Sequence, residues 1–165
     1  MENKLDNKKR NEKILQATCT MLQNMNLEVE NVAVEDVVNE EENQTINQVL
    51  VSVKVANPAV LIGFRGKNLA AIQLILSLIV KNELGDWVRV LFDVNGYRSE
   101  QKTRLEAMTR SLADRVIATG NPVAMASMSS YERRICHMAI ADREDLVAES
   151  EGEGEDRHMV IKLKV

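Results

Sequence analysis

The chain has 165 residues, 45% of them hydrophobic and 28% charged, the composition of a soluble globular protein with enough apolar surface for one domain or two small ones. A net charge of −4 and a pI near 5.3 exclude coating of nucleic acid by bulk electrostatics, so any such binding must be local. Aromatic residues make up 3% of the chain, which leaves little material for the stacking surfaces of RRM or cold-shock domains.

The N-terminal segment "MENKLDNKKRNEK" is polar and does not read as a signal peptide, and the apolar stretch Leu69 to Val80 is too short to span a bilayer, so a cytoplasmic protein is expected. Cys19 and Cys136 lie far apart and outside any CxxC pair, which points to neither a zinc site nor a disulfide framework. From Lys8 to Met25, Ile14, Leu15, Thr18, Met21, Leu22 and Met25 recur at helical spacing. Alternating apolar residues then predict two strands, one through Val29, Val32, Val34 and Val37 and one through Val49, Val51, Val53 and Val55, joined by a polar turn near Glu41 to Gln44.

Asn57 and Pro58 start a short helix that must stop at Gly63, because asparagine caps free amides and proline suits a first turn. A second helix follows from Lys67 to about Asn82, its sheet-facing stripe read as Leu69, Ile72, Ile75, Leu76 and Ile79. Leu74 and Leu78 add a second stripe, so this helix needs cover on two sides. "DWVRVLFDVN" is a strand with Trp87, Val88, Val90 and Phe92 buried or half-buried, which completes an α-β-β-α-α-β order by residue 95. A long helix opens at "GYR", carries the stripe Leu105, Met108, Leu112 and Val116, and stops at Gly120 and Pro122. "VAMASM" is expected to be extended. Ser129 and Glu132 form a capping box for the next helix, and "DLVAES" and "HMVIKLKV" are strands joined by the acidic turn "EGEGED". No internal repeat is present.

Two constellations carry chemistry. Gly63-Phe64-Arg65-Gly66 lies between two helices, where the lack of Cβ atoms lets a sugar-phosphate backbone approach and the next helix offers free amides to a phosphate. Arg65 and Lys67 add charge beside it. Two glycines at this spacing also make a plain turn, and the surrounding element order decides for the first reading. That order resembles the type II KH domain, whose Gly-x-x-Gly loop clamps single-stranded nucleic acid. The resemblance implies that Ile62, Gly63, Phe64, Arg65, Gly66 and Lys67 form the binding loop, with Leu69 and Ile72 as apolar positions of the following helix. Phe64 stands where relatives commonly have a basic residue, and it serves either as a stacking ring or as a protein contact.

The second constellation is Arg133 and His137, four apart on one helix and able to reach a single phosphate together. A surface ion pair with Glu132 or Asp142, or a capped core histidine, is the alternative for this spacing. "TGNPVAMASMSSYERRICHMAIAD" followed by "ESEGEGEDRHMVIKL" resembles the small single-strand-binding module named for this Arg-x-x-x-His pair. A KH domain followed by that module resembles the bacterial Jag family, also called KhpB, over residues 10 to 165. The expected architecture is therefore α+β: a type II KH domain over residues 1–95 and a small α/β Arg-x-x-x-His domain over residues 96–165, without the additional N-terminal Jag domain of many relatives. Asn121 replaces a usual basic residue, and Ala126-Ser127 stands where relatives tend to have Glu-Pro.

The resemblance implies a non-catalytic protein of single-stranded RNA, with single-stranded DNA as the other ligand, tied to control of cell elongation, division or shape. It also implies a small KH partner protein or a homodimer, for which Leu74 and Leu78 are the expected interface. From Arg98 to Arg134 seven Lys or Arg face four acids, a basic segment in an acidic chain, so Arg98 and Arg134 join Arg133 and His137 as expected nucleic-acid contacts. A nuclease using His137, or Cys136 as nucleophile, is disfavoured: no carboxylate pair has metal-ligand spacing and no phosphate-cradling P-loop motif occurs. No cofactor or metal is expected.

Overall fold

The computed structural model describes residues 2–37 and 48–164 and divides into two compact units, Met1–Arg98 and Ser99–Val165. The polar turn expected near Glu41 to Gln44 lies outside the described residues. The first unit runs α1 (Glu2–Asn24), β1 (Val29–Asp36), β2 (Gln48–Val55), α2 (Ala59–Ile62), a 3-10 turn (Phe64–Gly66), α3 (Lys67–Leu84) and β3 (Arg89–Val94). Its sheet has the order β1-β2-β3, with β1 antiparallel and β3 parallel to β2.

Strand β2 shows why this sequence makes a central strand. Val49, Val51, Val53 and Val55 are all buried, whereas Leu50 and Ser52 are half-buried and Lys54 is exposed, so the period of two separates the faces. Opposite them in parallel register stand Val90, Phe92 and Val94 of β3. Ile14, Met21 and Leu22 of α1 and Leu69, Ile72, Leu76 and Val80 of α3 close the core. Each fully buried aliphatic side chain contributes about 1.5–3 kcal/mol of transfer free energy. After β3, Asn95 (φ 52°) extends the ladder with its side chain: its Oδ1 accepts from Val55 N at 3.0 Å and its Nδ2 donates to Val55 O at 2.9 Å.

Two sequence expectations need correction in this unit. Ile75 does not face the sheet; it is 51% exposed, because the buried stripe is Leu69, Ile72, Leu76 and Val80, and Ile75 sits about 100° around the helix from Leu76. Trp87 precedes β3 rather than lying in it, and its exposed ring carries the Lys81 ammonium 4.6 Å from the centroid. The run Ala59–Leu84 is long and apolar enough, by length and composition, to cross a membrane. Positive φ values at Gly63, Arg65 and Gly66 break it, and Leu61, Leu69, Ile72, Leu76 and Val80 lie in the core, as in a core helix of a globular unit.

The second unit contains most of α4 (Tyr97–Thr119), then β4 (Val123–Ala124), α5 (Ser130–Ala139), β5 (Leu146–Glu151), a 3-10 turn (Gly154–Asp156) and β6 (His158–Leu163). The strands pair antiparallel in the order β4-β6-β5. Beyond β4 the extended segment stays tied near β6 through Met125 N to Met159 O (2.8 Å) and Met128 N to Arg157 O (3.0 Å). The buried stripe of α4 is Thr109, Ala113 and Val116, with Leu105 and Leu112 half-buried, and the expected core residue Met108 is exposed. Thr109 can be buried because its hydroxyl donates to Leu105 O at 2.7 Å.

Candidate nucleic-acid interface

The turn between α2 and α3 is built by backbone geometry that side chains oppose. Gly63 ends α2 at φ 67°, ψ −174°, a region essentially confined to glycine. A Cβ there would sit 2.4 Å from Asn68 Cγ, and Asn68 is held in place by donating from Nδ2 to Val60 O at 2.8 Å. Arg65 (φ 51°, ψ 33°) and Gly66 (φ 77°, ψ 13°) are both left-handed, so the chain doubles back within three residues and enters α3 at Lys67. No side chain of Gly66 can cap the first amides of α3, which leaves that helix end open to an anion.

Around this turn Ile62 is half-buried against the core, whereas Phe64, Arg65 and Lys67 are exposed. Phe64 is 71% exposed, and the Arg65 guanidinium lies 5.1 Å from its ring centroid. One face of the ring is thereby covered by the next residue, which makes a compact cationic-aromatic knob. Behind the turn, Gln73 of α3 accepts from Phe92 N (3.1 Å) and Arg98 Nη2 (2.7 Å), while Arg98 Nε donates to Phe92 O at 2.9 Å. The half-buried Arg98 thus ties β3 to α3 in the first unit.

In the second unit the capping box opens α5: Glu132 N donates to Ser129 Oγ (3.3 Å) and Ser129 N to Glu132 Oε2 (2.7 Å). Glu132, 6% exposed, also accepts from Gln101 Nε2 at 2.9 Å. Arg133 is half-buried, with Nη1 donating to Met128 O at 2.8 Å and Nη2 to Ser130 Oγ at 3.1 Å. Its guanidinium therefore holds the segment before α5. His137 is exposed one turn further on, as is Arg134. Cys136 is buried, with its thiol 3.8 Å from Met128 Sδ, and burial pushes its pKa up. A thiol held protonated by desolvation is a poor nucleophile.

Sequence reasoning did not group one further set of residues. Lys102, Glu106 and Arg110 of α4 and Tyr131, Arg134, Ile135, Met138 and Ala139 of α5 line a half-open groove of about 300 Å³. Their i, i+4, i+8 and i, i+3, i+7 spacings were the available signal. Leu74 and Leu78, expected at a partner interface, are 60% and 51% exposed on α3 and are joined there by Ile75. Among the described residues, no group of three or more His, Cys, Asp or Glu is placed to hold a metal ion.

Residues 103–163 match the family model of the domain named for an arginine and a histidine with three residues between them. The chain is also similar to the RNA-binding protein KhpB of Clostridium symbiosum, at 36% identity over 124 residues that cover 75% of this chain and 56% of that protein. Its likeness to the RNA-binding protein KhpB of Bacillus subtilis is 32% over 131 residues, 78% of this chain and 62% of the relative. The corresponding protein of Streptococcus pneumoniae serotype 2 is 31% identical over 104 residues, 63% of this chain and 32% of that protein. The chain therefore spans less than two thirds of the length of these relatives.

Proposed function

We propose that this KhpB homologue is a non-catalytic, cytoplasmic binder of single-stranded RNA, built as a type II KH domain over residues 1–95 followed by an Arg-x-x-x-His domain over residues 96–165. The observation that carries the reading is the Gly63 to Gly66 turn. A backbone forced into glycine conformations, flanked by Arg65 and Lys67 and followed by an open helix end, accepts a phosphate backbone at close range. The αββααβ order, the domain match over residues 103–163 and the RNA-binding names of the relatives support the same assignment. Phe64, Arg65 and Lys67 touch the ligand at the turn, and Arg134 and His137 touch it at α5. Arg98 and Arg133 hold the backbone behind those contacts. A post-transcriptional role in cell elongation, division or shape follows from the resemblance.

Fluorescence anisotropy with an unstructured labelled RNA tests the reading. Arg65→Glu and Gly66→Asp each weaken binding by about tenfold or more, the effect of replacing one charge-assisted contact with repulsion. Equal affinity for the folded variants, or no binding by the unaltered chain, refutes it. A second reading is favoured by the exposed Leu74, Ile75 and Leu78: an adaptor that docks a small KH protein or a second copy, with RNA binding secondary. Light scattering with and without Leu78→Glu separates the two, since an adaptor loses its assembled state.

A further inference from the structure

We infer that the α4/α5 groove of the second unit is a nucleotide subsite, in which the Tyr131 ring stacks on one base and Arg134, Arg110 and Lys102 hold its flanking phosphates. The inference rests on the single-stranded RNA reading above and places a contact where neither Arg133 nor His137 lies. On α5, Tyr131, Arg134 and Met138 share one face by their spacing of three and four, whereas Arg133 and His137 point about 120–160° away from Tyr131. Arg133 is moreover committed to Met128 O and Ser130 Oγ, so the cation of the motif that faces a groove is Arg134.

Three features of the groove fit a nucleotide. Its volume, about 300 Å³, holds a base with its sugar and excludes a folded protein segment of any size. Its floor and wall combine apolar and aromatic surface: Ile135 is buried, while Tyr131 is 47% and Met138 65% exposed at the rim. Its charge is positive, with Lys102, Arg110 and Arg134 against Glu106, in a chain whose net charge is −4. Glu106 pairs with Lys102 at 3.8 Å, which leaves Arg110 and Arg134 as the cations in excess of the groove's one carboxylate pair. A flat aromatic edge between two arginines is the arrangement by which proteins hold a stacked base of any identity. An acidic peptide would use the cations but not the ring, and an apolar helix would use the ring but not the cations.

The test uses the full chain and a fluorescein-labelled oligouridylate of about a dozen nucleotides, a length on the order of single-strand site sizes. Tyr131→Ala weakens binding by about tenfold while Tyr131→Phe keeps it, because the ring and not the hydroxyl makes the contact. Arg134→Ala and Arg110→Ala each lower the salt slope of log K by about 0.7, the value for one phosphate contact on a single strand. Irradiation of the complex made with 4-thiouridine yields a crosslink mapped by mass spectrometry to Tyr131 or Met138. If the unaltered chain binds RNA and loses it with Arg65→Glu, but Tyr131→Ala binds normally and no crosslink forms in the groove, the subsite is refuted and the general reading stands. If the chain binds no RNA, both fall. If the groove variants lose a protein partner and keep RNA, the surface is a protein-docking site and the subsite is refuted.

Discussion

Gly63 and Asn68 are coupled sterically across the first unit's turn. The glycine's φ 67°, ψ −174° costs a residue with a Cβ about 1–3 kcal/mol in backbone strain alone. The added methyl would also overlap Asn68 Cγ, at 2.4 Å, and displace the amide that satisfies Val60 O. Loss of that bond costs about 1 kcal/mol more. Gly63→Ala is therefore expected to lower stability by about 2–4 kcal/mol, read in urea from the emission of Trp87, the chain's single tryptophan. In an Asn68→Gly background the overlap is gone and the cost of Gly63→Ala falls to the strain alone. Equal costs in both backgrounds would show that Asn68 has no part in fixing the turn. The need for glycine at 63 and 66 is legible in the sequence, because few other residues tolerate a sharp break between two helices. The acceptor of Arg133 is not, since a main-chain carbonyl such as Met128 O has no residue type to reveal where it points.

At the scale of the element, helix α5 depends on its first turn. It is ten residues long, too short to be stable alone, so satisfaction of its leading amides matters. Ser129→Ala removes the side-chain acceptor for Glu132 N and is expected to cost about 1 kcal/mol, within a usual range of ~0.5–2. Glu132→Ala costs more, because Ser129 N and Gln101 Nε2 both lose their acceptor in a buried position. Denaturation followed by far-ultraviolet circular dichroism checks both; a Ser129→Ala chain as stable as the unaltered one removes the cap from the account. This capping box was legible as Ser-x-x-Glu, and the valines of β2 were legible as alternation, since both patterns are local. The stripe of α4 was not. Hydropathy selects Met108 over Thr109, yet Thr109 carries its own hydrogen bond inward and Ala113 allows close approach, so small residues line the buried face. The α4/α5 groove was illegible for a related reason: its two walls come from separate helices joined by β4 and a long extended segment, and nothing in either alone says that they face each other.

For the whole molecule the deciding quantity is charge. A net −4 means that phosphates approaching at random meet repulsion, screened beyond about one Debye length, ~8–10 Å at physiological salt. Attraction is confined to Arg65 and Lys67 at the first unit's turn and to Arg110, Arg134 and Lys102 in the second unit. With three to five phosphate contacts at about 0.7 each, the slope of log K against log salt is expected to lie between about −2 and −3.5. Each unit contributes its own share, so Arg65→Ala and Arg134→Ala together shift the slope by about 1.4, the sum of their separate shifts. Weak contacts of this kind yield useful affinity when one strand engages both units, because the second contact is then intramolecular. Anisotropy titrations from low to physiological salt measure the slope directly. A value steeper than about −5 would mean that the strand tracks a much longer basic surface than the residues named here provide. A slope near zero would mean that phosphates are not what the glycine turn and the groove hold.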